Sequence, residues 1–262
     1  MRAVPGRSVV VGISCSLLAV RADAQADPRA VQPERPTVAT HAYTVAPGYL
    51  EIEIGGQWDR YGAGITAVGI PTVFKFGVAT RAQLSIVAPL VRAPGSRTIG
   101  VGDAGAALKL RLTDGHPLLG RFAVQPSVTL PSGSTTTGAG TGTSSASLLL
   151  ISSRDLGPVT VDLNAGYTRR SGDGTTAPQN STVWTVSSGG ALAGGAGWVF
   201  EVFGYPRTTG PAGAESSAAL LLGPTFTVAP MFVVDAGAII PVAGSLPHSW
   251  YVGGVVNVGR FR

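Results

Sequence analysis

Eight ionisable residues of this chain sit inside otherwise apolar stretches: Glu51, Glu53, Lys75, Lys109, Arg111, Asp162, Glu201 and Asp235. They stand between apolar neighbours in Leu50-Glu51-Ile52-Glu53-Ile54, Phe74-Lys75-Phe76 and Leu108-Lys109-Leu110-Arg111-Leu112. Both signs occur, which leaves two roles open: pairing across a filled interior, or lining a narrow channel. Nucleophilic chemistry finds less support. His41, His116 and His248 are far apart, and only His248 with Ser245 or Ser249 offers a Ser–His pair, in what reads as a solvated loop. The same scatter predicts no metal site, and the chain is expected to need no cofactor and to be no enzyme. Gly138-x-Gly140-x-Gly142 lies in a Thr-rich loop without a following helix, so it is not a phosphate cradle. Cys15, the single cysteine, falls in a stretch read below as removed on export. The remaining chain then has no thiol, disulfide or zinc thiolate chemistry.

The elements that carry these charges have a period of two. In Val159-Thr160-Val161-Asp162-Leu163-Asn164-Ala165 the odd positions are apolar and the even ones polar. Side chains alternate between the faces of a strand, so each such stretch has one greasy and one polar face. Helical spacing would instead bring Glu51 and Ile54 to about the same side. Composition agrees. Only 13% of the 262 residues are charged, against about 25% in ordinary soluble domains. Gly 37 and Pro 19 supply too much turn chemistry for a helix bundle. The mean hydropathy of +0.29 is high, yet the nearest candidate for a spanning helix, the uncharged run Ser216–Val234, is broken by Gly223, Pro224 and Pro230 and is rejected. The net charge of +5 comes without a Lys/Arg cluster, which excludes a nucleic-acid footprint.

About twelve segments of about ten residues follow one another from 48–57 to 249–261, a length suited to transmembrane strands. Their connections alternate. Tight ones include Val78–Arg81, Arg154–Gly157 and Val228–Pro230; long ones, rich in Gly, Ser and Thr, include Pro131–Thr141 and Arg170–Ser181. That asymmetry predicts an antiparallel up-and-down transmembrane β-barrel, all-β, with the long loops outside the cell. A soluble sandwich would need a heavily charged wet face, whereas here the polar faces are Gly, Ser, Thr and isolated charges. The apolar face, including Leu50, Ile52, Ile54, Phe74, Phe76, Leu108, Leu110, Leu112, Val161 and Leu163, is expected to meet outer-membrane lipid. The eight charges above then line the lumen. Trp58, Tyr61, Tyr205, Trp250 and Tyr251 are expected near outer strand ends, at headgroup depth.

Residues 1–24 have the parts of an export signal: Arg2 and Arg7, the apolar Ser8–Val20, and an Ala22-Asp23-Ala24 cleavage site. Residues 25–47 are polar and carry Pro28, Pro33 and Pro36, which predicts a flexible periplasmic arm before a barrel spanning 48–262. The arm is either a loose tail or a plug in which Arg29, Glu34 and Arg35 meet Glu51, Lys109 or Asp162 in the lumen.

Several stretches, in order, are similar to a known family. They are Val45–Glu53 (VAPGYLEIE), Phe76–Leu84 (FGVATRAQL), Gly100–Leu112 (GVGDAGAALKLRL), Gln125–Gly133 (QPSVTLPSG) and Leu163–Thr168 (LNAGYT). From about Val45 onward the chain resembles the Gram-negative outer-membrane proteins labelled phenol-degradation meta-pathway proteins, often called simply transporters. It departs from their pattern at Thr80-Arg81, where an Asp usually precedes the Arg, and at the trailing Arg262. The resemblance implies an outer-membrane barrel that moves small molecules; it supplies no site residues. The expected function is therefore an outer-membrane channel for small, aromatic or hydrophobic solutes by passive diffusion. A structural or surface-interaction barrel with a filled lumen, and a barrel hydrolase, are the alternatives.

Overall fold

A computed structural model of the chain describes residues 27–261. Residues 1–24, expected to be an export signal, with Cys15 among them, and Arg262 lie outside the described residues. The strands are β1 (Tyr49–Arg60), β2 (Thr66–Ile70), β3 (Thr72–Ala79), β4 (Ala82–Val87), β5 (Leu90–Arg92), β6 (Gly100–Val101), β7 (Gly105–His116) and β8 (Gly120–Thr129). They continue with β9 (Ser145–Leu156), β10 (Val159–Arg170), β11 (Asn180–Ala191), β12 (Ala196–Tyr205), β13 (Ser217–Ala229), β14 (Phe232–Ala243) and β15 (His248–Arg260).

Each strand pairs antiparallel with its neighbour, and β15 returns to β1, from Arg260 opposite Tyr49 to His248 opposite Arg60. The result is a closed ring of 12 strands. β2, β5 and β6 prolong β3, β4 and β7 beyond the ring. Pro71 and Pro89 stand at two of these breaks, where a residue without an N–H cannot keep up the ladder. Connections on one side are as short as Gly157-Pro158, where Gly157 takes a φ of +69° that suits glycine. On the other side they run through 130–144, 171–179 and 206–216.

Burial inverts the pattern of a soluble protein. Lys75 is 0% exposed, Glu51 0% and Lys109 1%, while Ile54, Leu112, Leu163, Val186 and Val252 lie open. A closed ring has no edge to satisfy, and an outer surface of Leu, Ile and Val suits lipid. Trp58 and Trp250 are outward, as expected for an interfacial belt. Tyr251 corrects that expectation: it is buried, on the inner face, and its hydroxyl donates to the Leu222 carbonyl at 3.2 Å. It belongs to an inner apolar cluster with Val199, Phe203, Ala219, Leu221 and Ile239, against which Leu246 of the last loop packs.

Candidate functional site

The inner charges are brought together by strand register. Glu51 faces Lys75 across the β1–β3 ladder, and Glu53 is two residues on, so all three side chains project the same way. Lys75 Nζ lies 3.1 Å from Glu51 Oε2 and 2.7 Å from Glu53 Oε1, and it also donates to the Gln32 carbonyl. Lys109 faces Gln83 across β4–β7. Its ammonium contacts Glu34 Oε1 at 2.5 Å, the His41 carbonyl at 2.8 Å, Thr40 Oγ1 at 3.1 Å and the Tyr43 carbonyl at 3.2 Å. Three protons thus meet four acceptors, all of them on the segment before β1.

That segment circles the inner wall. Val31 N–H donates to the Pro230 carbonyl at the β13–β14 turn. Gln32 N–H then donates to both Glu51 carboxylate oxygens at 3.1 Å, and Glu34 N–H to Glu53 at 2.8 Å. Val38 and Ala39 N–H groups meet the Glu201 carboxylate on β12 at 2.8 and 2.7 Å. Thr40 exchanges two hydrogen bonds with the Asn164 amide on β10, and Ala42 N–H donates to Ser153 Oγ on β9. Tyr43 donates to Asp155, with the Arg121 guanidinium 4.7 Å over its ring. Val45 N–H reaches Gln83 on β4, and Gly48 N–H the Gly77 carbonyl on β3. The wall therefore offers carboxylate, amide and hydroxyl acceptors to an irregular backbone that has no ladder of its own.

Three inner glycines make room for it. A Cβ on Gly77 would lie 2.0 Å from the Ala46 carbonyl oxygen. Cβ atoms on Gly55 and Gly253 would lie 2.3 and 2.5 Å from the Arg35 guanidinium. Arg35 rests in that hollow and grips Asp235 through two bonds, at 3.0 and 3.1 Å. Arg29 contacts Met231 Sδ instead of a carboxylate. Glu34 and His41 face each other across the arm's own turn. Burial works against the Glu34 carboxylate, but the Lys109 and Lys75 ammoniums outweigh it and hold the group well below its usual range. Burial, and then the Lys109 charge, push His41 down to about 3, so the ring is neutral and its Nε2 donates to the Pro33 carbonyl at 3.0 Å.

The remaining singled-out residues lie apart from that knot. Arg111 lies in the second half of β7, where it pairs with Asp114 at 2.9 Å and donates to the Thr80 carbonyl. Asp162 accepts from Ser153 Oγ. It borders a cavity of about 580 Å³ between the arm and the inner faces of β10–β14, lined also by Ser187, Gly189, Val199 and Thr225. The pairing of His248 with Ser249 fails on geometry. Ser249 is buried and donates to Asp59 at 2.7 Å, while the preceding His248 is exposed on the opposite face of β15. The glycines at 55, 77 and 253 and the wall acceptors Asn164, Ser153 and Gln83 were not singled out by sequence. Their signal is positional: small or polar residues at inward sites of strands whose other face is apolar.

No family model and no curated protein matches the chain. Solved structures do. An outer membrane channel from Pseudomonas putida F1 is similar at a TM-score of 0.66 and 12% identity, over 87% of this chain and 99% of that one. The KdgM porin, solved in complex with disordered oligogalacturonate, is similar at 0.52 and 9% identity, over 79% of this chain and 98% of its own. At such identities the likeness concerns the fold: this chain has the architecture of an outer-membrane β-barrel.

Proposed function

We propose that this chain is a non-enzymatic outer-membrane channel through which small solutes diffuse passively, its bore narrowed by residues 27–47. The observation that carries the reading is the cavity of about 580 Å³ left between that segment and the wall. A barrel whose lumen served only as a core would close such space, since interiors pack densely. The likeness to a channel and a porin supports the same reading. The apolar inner cluster on β12–β15 favours solutes with a hydrophobic or aromatic body, in keeping with the phenol-degradation label of the family the chain resembles. The second reading, a structural barrel with a filled lumen, is favoured by one fact: Lys75 and Lys109 are saturated by protein acceptors and leave no free cation there.

Planar-bilayer recording separates the two. The purified full chain is expected to give small conductance steps, and deletion of residues 27–47 larger ones at unchanged yield of folded barrel. Silence in both proteins overturns the channel; equal steps overturn the narrowing role of the arm. In this reading residues 1–24 are the export signal and the long connections face the exterior. Thr176→Cys then labels on whole cells with an impermeant thiol reagent, and labelling only after rupture of the outer membrane reverses the topology. Thr176 suits the probe because it is exposed, whereas Gly174 is buried with a φ of +82°.

A further inference from the structure

Two inner carboxylates, Asp162 on β10 and Glu201 on β12, form no ion pair among the described residues. Asp162 accepts from Ser153 Oγ at 2.5 Å, and Glu201 accepts two backbone N–H groups of the arm. Register joins them through one residue. Ser187 faces Asp162 across β10–β11 and Glu201 across β11–β12. Ser187 is 4% exposed, its hydroxyl has no hydrogen-bond partner among the described residues, and it borders the cavity beside Asp162. Cations that could neutralise this row are engaged elsewhere: Arg35 by Asp235, Lys109 by Glu34. A carboxylate taken out of water without a counter-ion is costly.

The rest of the cavity is a mixture that suits a compact organic body. Val199 and Val233 supply apolar surface, Thr225 and Thr227 hydroxyls, and Gly189 removes a side chain from the wall. A volume of about 580 Å³ lies within the roughly 300–1,000 Å³ of small-molecule sites. An anion entering here would meet the Asp162 carboxylate, and a neutral solute would leave its charge unanswered.

We propose that the cavity between the arm and β10–β14 binds a small organic cation, an alkyl- or arylammonium, whose charge lies against Asp162 and the Ser187 hydroxyl while its hydrocarbon rests on Val199 and Val233. Its effect on flux rests on the channel reading; the binding does not, and the two are tested separately. Saturation-transfer NMR on the full chain in detergent micelles, with benzylammonium chloride as probe and benzyl alcohol as its uncharged counterpart, reads binding alone. The expected result is binding of benzylammonium at least tenfold tighter than that of benzyl alcohol, weakened at least tenfold by Asp162→Asn and at least threefold by Ser187→Ala. Asparagine keeps an acceptor for Ser153. Should it nonetheless prevent folding, the Ser187→Ala variant, which removes only a hydroxyl, decides by the same measurement. Equal binding of the two probes, or binding indifferent to these variants, overturns the proposal. In bilayers benzylammonium is expected to reduce conductance of the full chain and benzyl alcohol to leave it unchanged. Asp162-dependent binding in a protein that never conducts keeps the site and overturns the channel; conductance without such binding does the reverse.

Discussion

The two halves of the inner wall hold the chain together by opposite means. On β1, β3, β4 and β7 the wall is charged, and Glu51, Glu53, Lys75 and Lys109 are matched by one another and by the arm. On β12–β15 Glu201 and Asp235 are charged exceptions on a largely apolar face, where Val199, Phe203, Leu221 and Ile239 pack on each other with Leu246 from the last loop. The first half specifies one arrangement, because each buried charge must find its partner. The second tolerates rearrangement at modest cost, because one hydrocarbon neighbour can replace another. The cavity opens alongside β10–β14, between the arm and a wall that carries Asp162 as well as Val199.

Removing one charge is the most damaging way to test the contrast. Lys75→Ala leaves Glu51 and Glu53 buried without a cation and is expected to cost about 3–5 kcal/mol, read as a lower urea midpoint in lipid vesicles. A loss below about 1 kcal/mol would mean that water reaches the pair. On the apolar side Leu221→Ala is expected to cost about 2–5 kcal/mol, toward the lower end if Leu246 settles into the space. Outside the barrel, Leu110→Arg puts a charge against lipid and should cost roughly 2–4 kcal/mol near mid-depth, whereas Ser127→Arg on the inner face should cost less. Equal folding yields for those two would break the inside–outside assignment. Gly253→Ala, which drives a methyl into the Arg35 guanidinium, should cost about 1–3 kcal/mol and loosen the arm, read as larger conductance at normal barrel yield.

The smallest effect concerns acid. His41 titrates at 6.5 when free and is pushed down to about 3 when docked. The free arm therefore binds more protons than the docked one as the pH falls below 6.5. Docking is expected to be complete above that value and to weaken progressively toward pH 3. His41→Gln should flatten that part of the conductance–pH curve, and an unchanged curve would show that His41 stays neutral in both states.

The same contrast explains what could be read from sequence. The strands on the charged side announced themselves, because alternation such as LEIEI or LKLRL is unambiguous when one face is polar and the other greasy. On β12–β15 apolar residues fill both faces over runs such as Val199-Phe200 or Leu220-Leu221-Leu222, which carry no facing signal, and Tyr251 lies inside instead of in the outer belt. The eight charges were found because an ionisable residue between apolar neighbours stands out. Their partners were not, because most are backbone N–H and carbonyl groups of Gln32, Val38, Ala39, His41 and Tyr43, and every residue type has those. Of the charges placed on the arm, Glu34 meets Lys109, while Arg35 finds Asp235 and not the Glu51 or Asp162 considered for it. Which carboxylate an arginine reaches depends on where the backbone bends, and prolines show that it bends without showing which way.

The position of Arg35 bears on the order of assembly. Its guanidinium bonds Asp235 on β14 and rests on Gly55 of β1 and Gly253 of β15, so it bridges the seam where the first and last strands join. Those strands lie some two hundred residues apart in the chain and come together only when the ring shuts. The hollow that receives Arg35 does not exist before that moment. The segment that leads the barrel in sequence is therefore among the last parts to be fixed in place, and its docking marks a seam already zipped.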